Sequence, residues 1–306
     1  MHQSGRPSKQ TTHLGFPTFK KRRAVLSVTA LIAAVAASAA AQSGPKPAVQ
    51  TPIGFTSYAE FGGTANSEGE IYLIAASLGY DINRHFGADV GVPFYFIRPS
   101  SSAGGTSSNG LGNPFLDLRV RFLNPTVNFG SVLTGFVPVG DSKKGLGTGE
   151  GTFDWTNHFD HAFSDLTPFA NVGIANTIVS TRLFVRPYTT LGFNTHVEGG
   201  ATYDVWKFFR LGASAYDILP SGQQTVYSRV AHGASASHGR VFEGNQQTTG
   251  SADIAKDNGF STWVDAHPWQ GIDLTLAFTR SVHYDLNSFS FALGFNVKQL
   301  YDRHVQ

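Results

Sequence analysis

The chain has 306 residues, no cysteine and a formal charge of +2, and 13% of its residues are aromatic. The missing cysteines exclude disulfides, thiol catalysis, Cys-ligated metals and a lipidated N-terminal cysteine. No run of about 18 apolar residues occurs, so no helix of this sequence spans a bilayer, and no basic stripe points to nucleic acid.

The first 41 residues read as a secretory signal. Lys20-Lys21-Arg22-Arg23 is a basic start, residues 24–37 form an apolar stretch too short to cross a membrane, and Ala39-Ala40-Ala41 precedes a cleavage at Gln42. Sec-type export follows. A twin-arginine route fits less well: Lys21-Arg22-Arg23-Ala24 lacks the usual hydroxyl residue before the arginine pair, and that route carries folded cargo. Residues 1–41 hold six of the 23 basic residues and no acid, leaving 17 bases against 21 acids and a net charge of −4 in the exported chain. Residues 42–52, with Pro45, Pro47 and Pro52, form a polar periplasmic leader.

The next stretches alternate with a period of two, the signature of strands with one apolar face. The clearest is Ile71–Ile97. Tyr72, Ile74, Ala76, Leu78 and Tyr80 share one face, as do Phe86, Ala88, Val90, Val92, Phe94 and Phe96 after the break at 82–85. About 9–11 residues is the length of a tilted membrane-crossing strand, and aromatic residues near both ends suggest interfacial girdles.

In chain order the sequence predicts strands at Ile53–Glu60, Ile71–Asp81, Phe86–Ile97, Phe115–Phe122, Val127–Val137 and Gly151–Asp160. Leu166–Ala175, Leu191–Asp204, Phe208–Asp217, Phe260–Ala266, Ile272–Arg280 and Ser288–Val297 follow, with a tail at 299–306. Arg182–Pro187 reads as a short extra strand or a loop, and Pro187 disfavours a central strand. Short turns at 82–85, 123–126, 161–165, 205–207 and 267–270 alternate with long stretches at 61–70, 98–113, 138–150, 176–190 and 218–259. The last of these has room for an inserted hairpin at Thr225–Val230 and Arg240–Glu243.

Short periplasmic turns, long outer loops and an even strand number describe an all-β, antiparallel, up-and-down transmembrane β-barrel of about 12 strands, spanning residues 53–298. The class implies an outer-membrane location, with membrane lipid and the barrel-insertion machinery as partners.

A lysine or arginine facing lipid at the midplane costs about 2–4 kcal/mol, so the polar faces turn inward. That places Asp89, Asp117, Arg119, Arg121, Asp154, His158, Asp160, His196, Glu198 and Arg210 in the lumen. These groups either pair into networks that fill the interior or line a path for a small solute.

Several patterns invite more specific chemistry. Asp154, His158 and Asp160 could offer a divalent ion ligands, but strand parity turns His161 to the opposite face. His196 and Glu198 could form an acid–base pair, with no nucleophile beside them in sequence. The glycine-rich run 145–151 opens no helix and has no Lys-Ser/Thr, so it is no P-loop. No cofactor is implied.

Gly110-Leu111-Gly112-Asn113-Pro114, the strand after it, Val137-Pro138-Val139-Gly140-Asp141 and Gly147-Thr148-Gly149 resemble the outer-membrane barrels of the MetA-pathway phenol-degradation family. Asn113 stands where that pattern has an Asp, and Val139 where it has a Thr. The resemblance implies a barrel that imports small hydrophobic or aromatic compounds. The rival expectations are a closed barrel that binds a partner through its loops, a barrel-resident lipid-modifying enzyme, and a soluble periplasmic β-protein.

Overall fold

The computed structural model describes residues 53–100, 106–230 and 241–305. The signal segment and the leader lie outside the described residues. The wall strands of the first half are β1 (Gly54–Asn66), β2 (Gly69–Asp81), β3 (Phe86–Pro99), β5 (Phe115–Phe122), β6 (Asn128–Phe136), β7 (Thr152–Asp160) and β8 (Leu166–Ala175), and a short β4 (Ser108–Leu111) extends the wall beside β3. Beyond a small β9 (Tyr188–Leu191), the wall continues as β10 (Asn194–Trp206), β11 (Phe209–Pro220), β14 (Asp257–Trp269), β15 (Ile272–Ser281) and β16 (Leu286–Asn296). Antiparallel pairing runs round these twelve wall strands and closes β16 onto β1.

The alternation of the sequence becomes the two faces of this wall. Phe55, Leu78, Tyr80, Phe86, Val90, Leu116, Leu118, Trp155, Leu211 and Phe289 are exposed on the outside. Between them Ser77, Asp89, Asp117, Thr202, Ser214, Ser261, Thr279 and Ser288 are buried inside. A water-facing protein would expose the second set, because uncovered apolar surface costs free energy roughly in proportion to its area. The wall is therefore inverted: apolar outward, polar inward, as a bilayer demands.

Several sequence expectations change. Residues 61–70 are no long loop: β1 and β2 run on to a two-residue turn at Ser67-Glu68, with Asn66 paired to Gly69. Gly69 has φ +147°, and a Cβ there would collide with the Arg98 carbonyl, so the glycine permits this turn. Leu191 leaves the wall for β9, and β10 begins at Asn194. In the long connection after β11, β12 (Gln224–Ser228) pairs with β13 (Gln247–Gly250) and with β9. The inserted hairpin is real, but its second arm is β13, and Val241–Gly244 is a short helical turn. Val297–Val305, where the wall passes into the tail, is a helix.

The connections divide the barrel into two ends. Breaks at 82–85, 123–127, 161–165, 207–208 and 270–271 make one end, with both termini of the wall on it. The other end carries the long connections. There lies the main apolar core, which includes Ile71, Ile97, Leu146, Phe184, Tyr188, Val226, Phe242, Tyr284 and Leu286. The inward tips of wall strands and the connections folded over them build this core together.

Candidate functional site: the lumen

The inward carboxylates and bases fall into networks set by strand register. Asp89 on β3 stands opposite Asp117 on β5, and Thr134 on β6 separates Asp117 from Asp154 on β7. Arg119 reaches back across this row, placing Nε 2.7 Å from Asp89 and Nη2 3.0 Å from Asp81. Glycine makes room for it: a Cβ at Gly79 would collide with the Asp89 carboxylate, and one at Gly87 with that of Asp81. Arg121 lies further toward the turn end on the same face, and among the described residues its side chain has no ion pair.

A second network spans β7, β8 and β10. His196 Nε2 lies 3.1 Å from Asp154 Oδ2, and its ring rests over Gly173. His158 contacts Asn171 Oδ1 through Nδ1 at 2.7 Å and Asp160 Oδ1 through Nε2 at 3.1 Å. Asn128 donates to Asp160 at 2.9 Å, and Asn171 donates to Glu198 at 2.9 Å. At the turn end Arg210 Nε donates to Asp204 at 2.5 Å. His196 and Glu198 therefore serve separate partners.

Thr156 Oγ1 also sits 3.4 Å from His196, but at the same Nε2 that meets Asp154. A relay needs the nucleophile and the orienting carboxylate on opposite ring nitrogens. This arrangement is not a relay, and Thr156 instead donates to Asp154 at 2.6 Å. Among the described residues no group of three or more His, Asp and Glu could hold a metal ion.

The segment 176–187, between β8 and β9, decides the shape of the lumen. Its tip is a tight hairpin in which Thr181 and Phe184 exchange backbone hydrogen bonds around Arg182 and Leu183. Arg182 Nε lies 2.8 Å from Glu60 on β1, and its Nη2 pairs with Asp273 on β15. Tyr58 OH donates to the same Asp273 at 2.8 Å. Val185 N donates to Thr64 Oγ1 at 2.8 Å, and Thr279 Oγ1 donates to the Leu183 carbonyl at 3.1 Å.

β8 and β1 are six places apart round the twelve-strand ring, so the segment crosses the lumen to the opposite wall. Asp273 is the second residue of β15, which begins at the turn end, so the tip also reaches deep. Leu183 packs beside Phe169 and Trp263.

Nearer the loop end the same segment makes its most buried contact. Arg186 Nη1 pairs with Asp257, which is fully buried. Asp257 also accepts from Ser281 Oγ at 2.6 Å and from Tyr216 OH at 3.2 Å. Reading the sequence named neither Arg182 nor Arg186 as a lumen residue, because Arg182–Pro187 read as either a short strand or a loop and no inner face could be assigned to it. Glu60 and Asp273 were legible by parity within Ile53–Glu60 and Ile272–Arg280.

An apolar outer belt round a polar, charged interior defines a transmembrane β-barrel of outer-membrane type, with a segment of its own chain folded into the lumen. Comparison with solved structures agrees. The crystal structure of the COG4313 outer membrane channel from Pseudomonas putida F1 matches over 83% of this chain and 99% of that one, with 11% identity and a TM-score of 0.55. The NanC porin matches over 78% of this chain and all of that one, with 9% identity and a TM-score of 0.47. The first likeness fixes the fold. No protein-family model and no curated protein matches the sequence.

Proposed function

We propose that this protein is an outer-membrane channel for small solutes, closed in the conformation described and opened when the segment 176–187 leaves the lumen. The observation that carries this reading is how the segment is held. It crosses a polar interior and is fastened at its tip by side chains, Arg182 to Glu60 and Asp273. It is a removable plug rather than part of the wall. Charged groups lining a pore at close quarters are also the usual means of solute selection.

The family resemblance supports small hydrophobic or aromatic compounds as cargo. The loop-end core gives such a solute matching surroundings, since the rings of Tyr188, Phe242 and Tyr284 meet there at centroid distances of 5.1 Å. The outer belt takes membrane lipid as its partner, and the barrel-insertion machinery would place the wall there after Sec-type export.

One observation favours a second reading, a permanently closed barrel that acts through its loops: a large apolar core is packed at the loop end. Single-channel recording in planar bilayers separates the two. The channel reading expects rare, small openings of the native protein and a higher open probability in Arg182→Ala. Silence of both proteins, with no solute uptake into liposomes, removes the channel.

A further inference from the structure

The loop end carries a half-open cavity of about 400 Å³ that no strand pattern foreshadows. Lys143, Lys144 and Arg229 supply its charge, and Ser108, Asn109 and Gln246 supply neutral hydrogen-bonding groups. Among the described residues no carboxylate lines it. The three cations come from two distant stretches that the backbone brings together. Gly145, at φ +65°, ends the helical turn Ser142–Lys144 and packs so tightly on Ser228 that a Cβ there would strike the Ser228 carbonyl.

Arg229 is 8% exposed. It donates Nε to the Gly145 carbonyl at 3.0 Å and Nη1 to the Arg186 carbonyl at 2.8 Å and to Ser180 Oγ at 3.2 Å. Its guanidinium lies 4.5 Å from the centre of the Tyr95 ring. All these partners are neutral. They aim the group without offsetting its charge, and among the described residues it has no ion-pairing carboxylate. Lys143 has none either. Lys144 has one loose, exposed contact, 3.9 Å from Asp141. A buried cation without a counter-charge is costly, and an anion in the cavity would remove that cost through charge-assisted hydrogen bonds.

We propose that this cavity is a binding site for a phosphate-bearing ligand, held by Lys143, Lys144 and Arg229 and oriented by the Ser108, Asn109 and Gln246 side chains. The phosphate could be carried by a soluble molecule or by a phosphorylated glycolipid of the surrounding leaflet; the chemistry of recognition is the same. The inference does not depend on conduction.

Calorimetric titration of the full-length protein tests it, with pyrophosphate as the probe. Saturable one-to-one binding is expected in glycolipid-free micelles, together with no heat from a neutral disaccharide. Lys143→Gln/Lys144→Gln, confined to exposed side chains, should weaken binding at least about tenfold, since charge-assisted bonds are the strong ones. Arg229→Gln should abolish it, but that change also loosens the loops, so the lysine pair is the decisive variant. Repeating the titration in nanodiscs containing phosphorylated glycolipid assigns the source. Competition there means that the lipid phosphate occupies the site, and unchanged affinity means a soluble ligand; both support the site. Absence of saturable binding, or full affinity in the lysine variant, overturns it.

Discussion

The two ends of the lumen solve one problem in opposite ways. At the turn end the basic side chains remain partly hydrated, although Asp81 and Asp89 beside them are buried. Arg119, Arg210 and His158 keep between 15% and 24% of their side-chain surface exposed, and their networks run along the wall from strand to strand. At the loop end the charged groups are buried more deeply. An apolar core gathers there, and the Arg186–Asp257 pair is almost wholly buried, at 6% and 0% side-chain exposure. One inward face of one barrel thus carries a more exposed half and a more buried half. The difference comes from what the long connections bring to it.

The contrast can be broken most forcefully at the buried pair. Arg186→Met leaves Asp257 charged without its ionic partner and should destabilise the fold by about 3–5 kcal/mol, measured as denaturant unfolding in micelles. Phe242→Ala empties a fully buried position in the apolar core and should cost about 3 kcal/mol, with the loss confined to loop-end protection in hydrogen exchange.

Gly79→Ala places a methyl group against the Asp89 carboxylate and should cost about 1–3 kcal/mol by overpacking. The atoms it meets belong to the Asp89 and Thr56 side chains, which can turn away, so the loss falls at the low end. Arg210→Gln, at the open turn end, should cost no more than about 1 kcal/mol. A loss as large as that of Arg186→Met would erase the distinction between the halves.

The smallest effect is a titration. Burial, reinforced by nearby Asp257, holds the phenols of Tyr188 and Tyr284 above their ordinary value. Their folded pKa is raised, so this stabilising term is complete below the unfolded value of about 10 and is lost as pH rises past it. Tyrosinate absorbance should show these two ionising later than exposed tyrosines. Ionisation at the ordinary pH would mean that the loop end is open to water.

The sequence was most informative where side-chain direction follows from chain position alone. Period-two alternation in Ile71–Ile97 and Phe115–Phe122 identified the wall, and it put Asp89, Asp117 and Arg119 on the polar face of their strands. It failed at 61–70, where Gly62, Gly63 and Ala65 continue a strand in residues too small to signal one. It also failed at Arg182 and Arg186. A connection of this length carries no periodicity, and its destination depends on partners far away in the chain: Glu60, Thr64, Asp257 and Asp273.

The sequence alone thus determined a twelve-strand inverted barrel, because a bilayer forces every strand to declare its two faces locally. Only the tertiary structure decided that the segment 176–187 crosses the lumen, that an apolar core gathers at the loop end and that three cations meet at one cavity there. Those features rest on contacts between residues as far apart as Glu60 and Arg182, or Gly145 and Arg229, which no local pattern encodes.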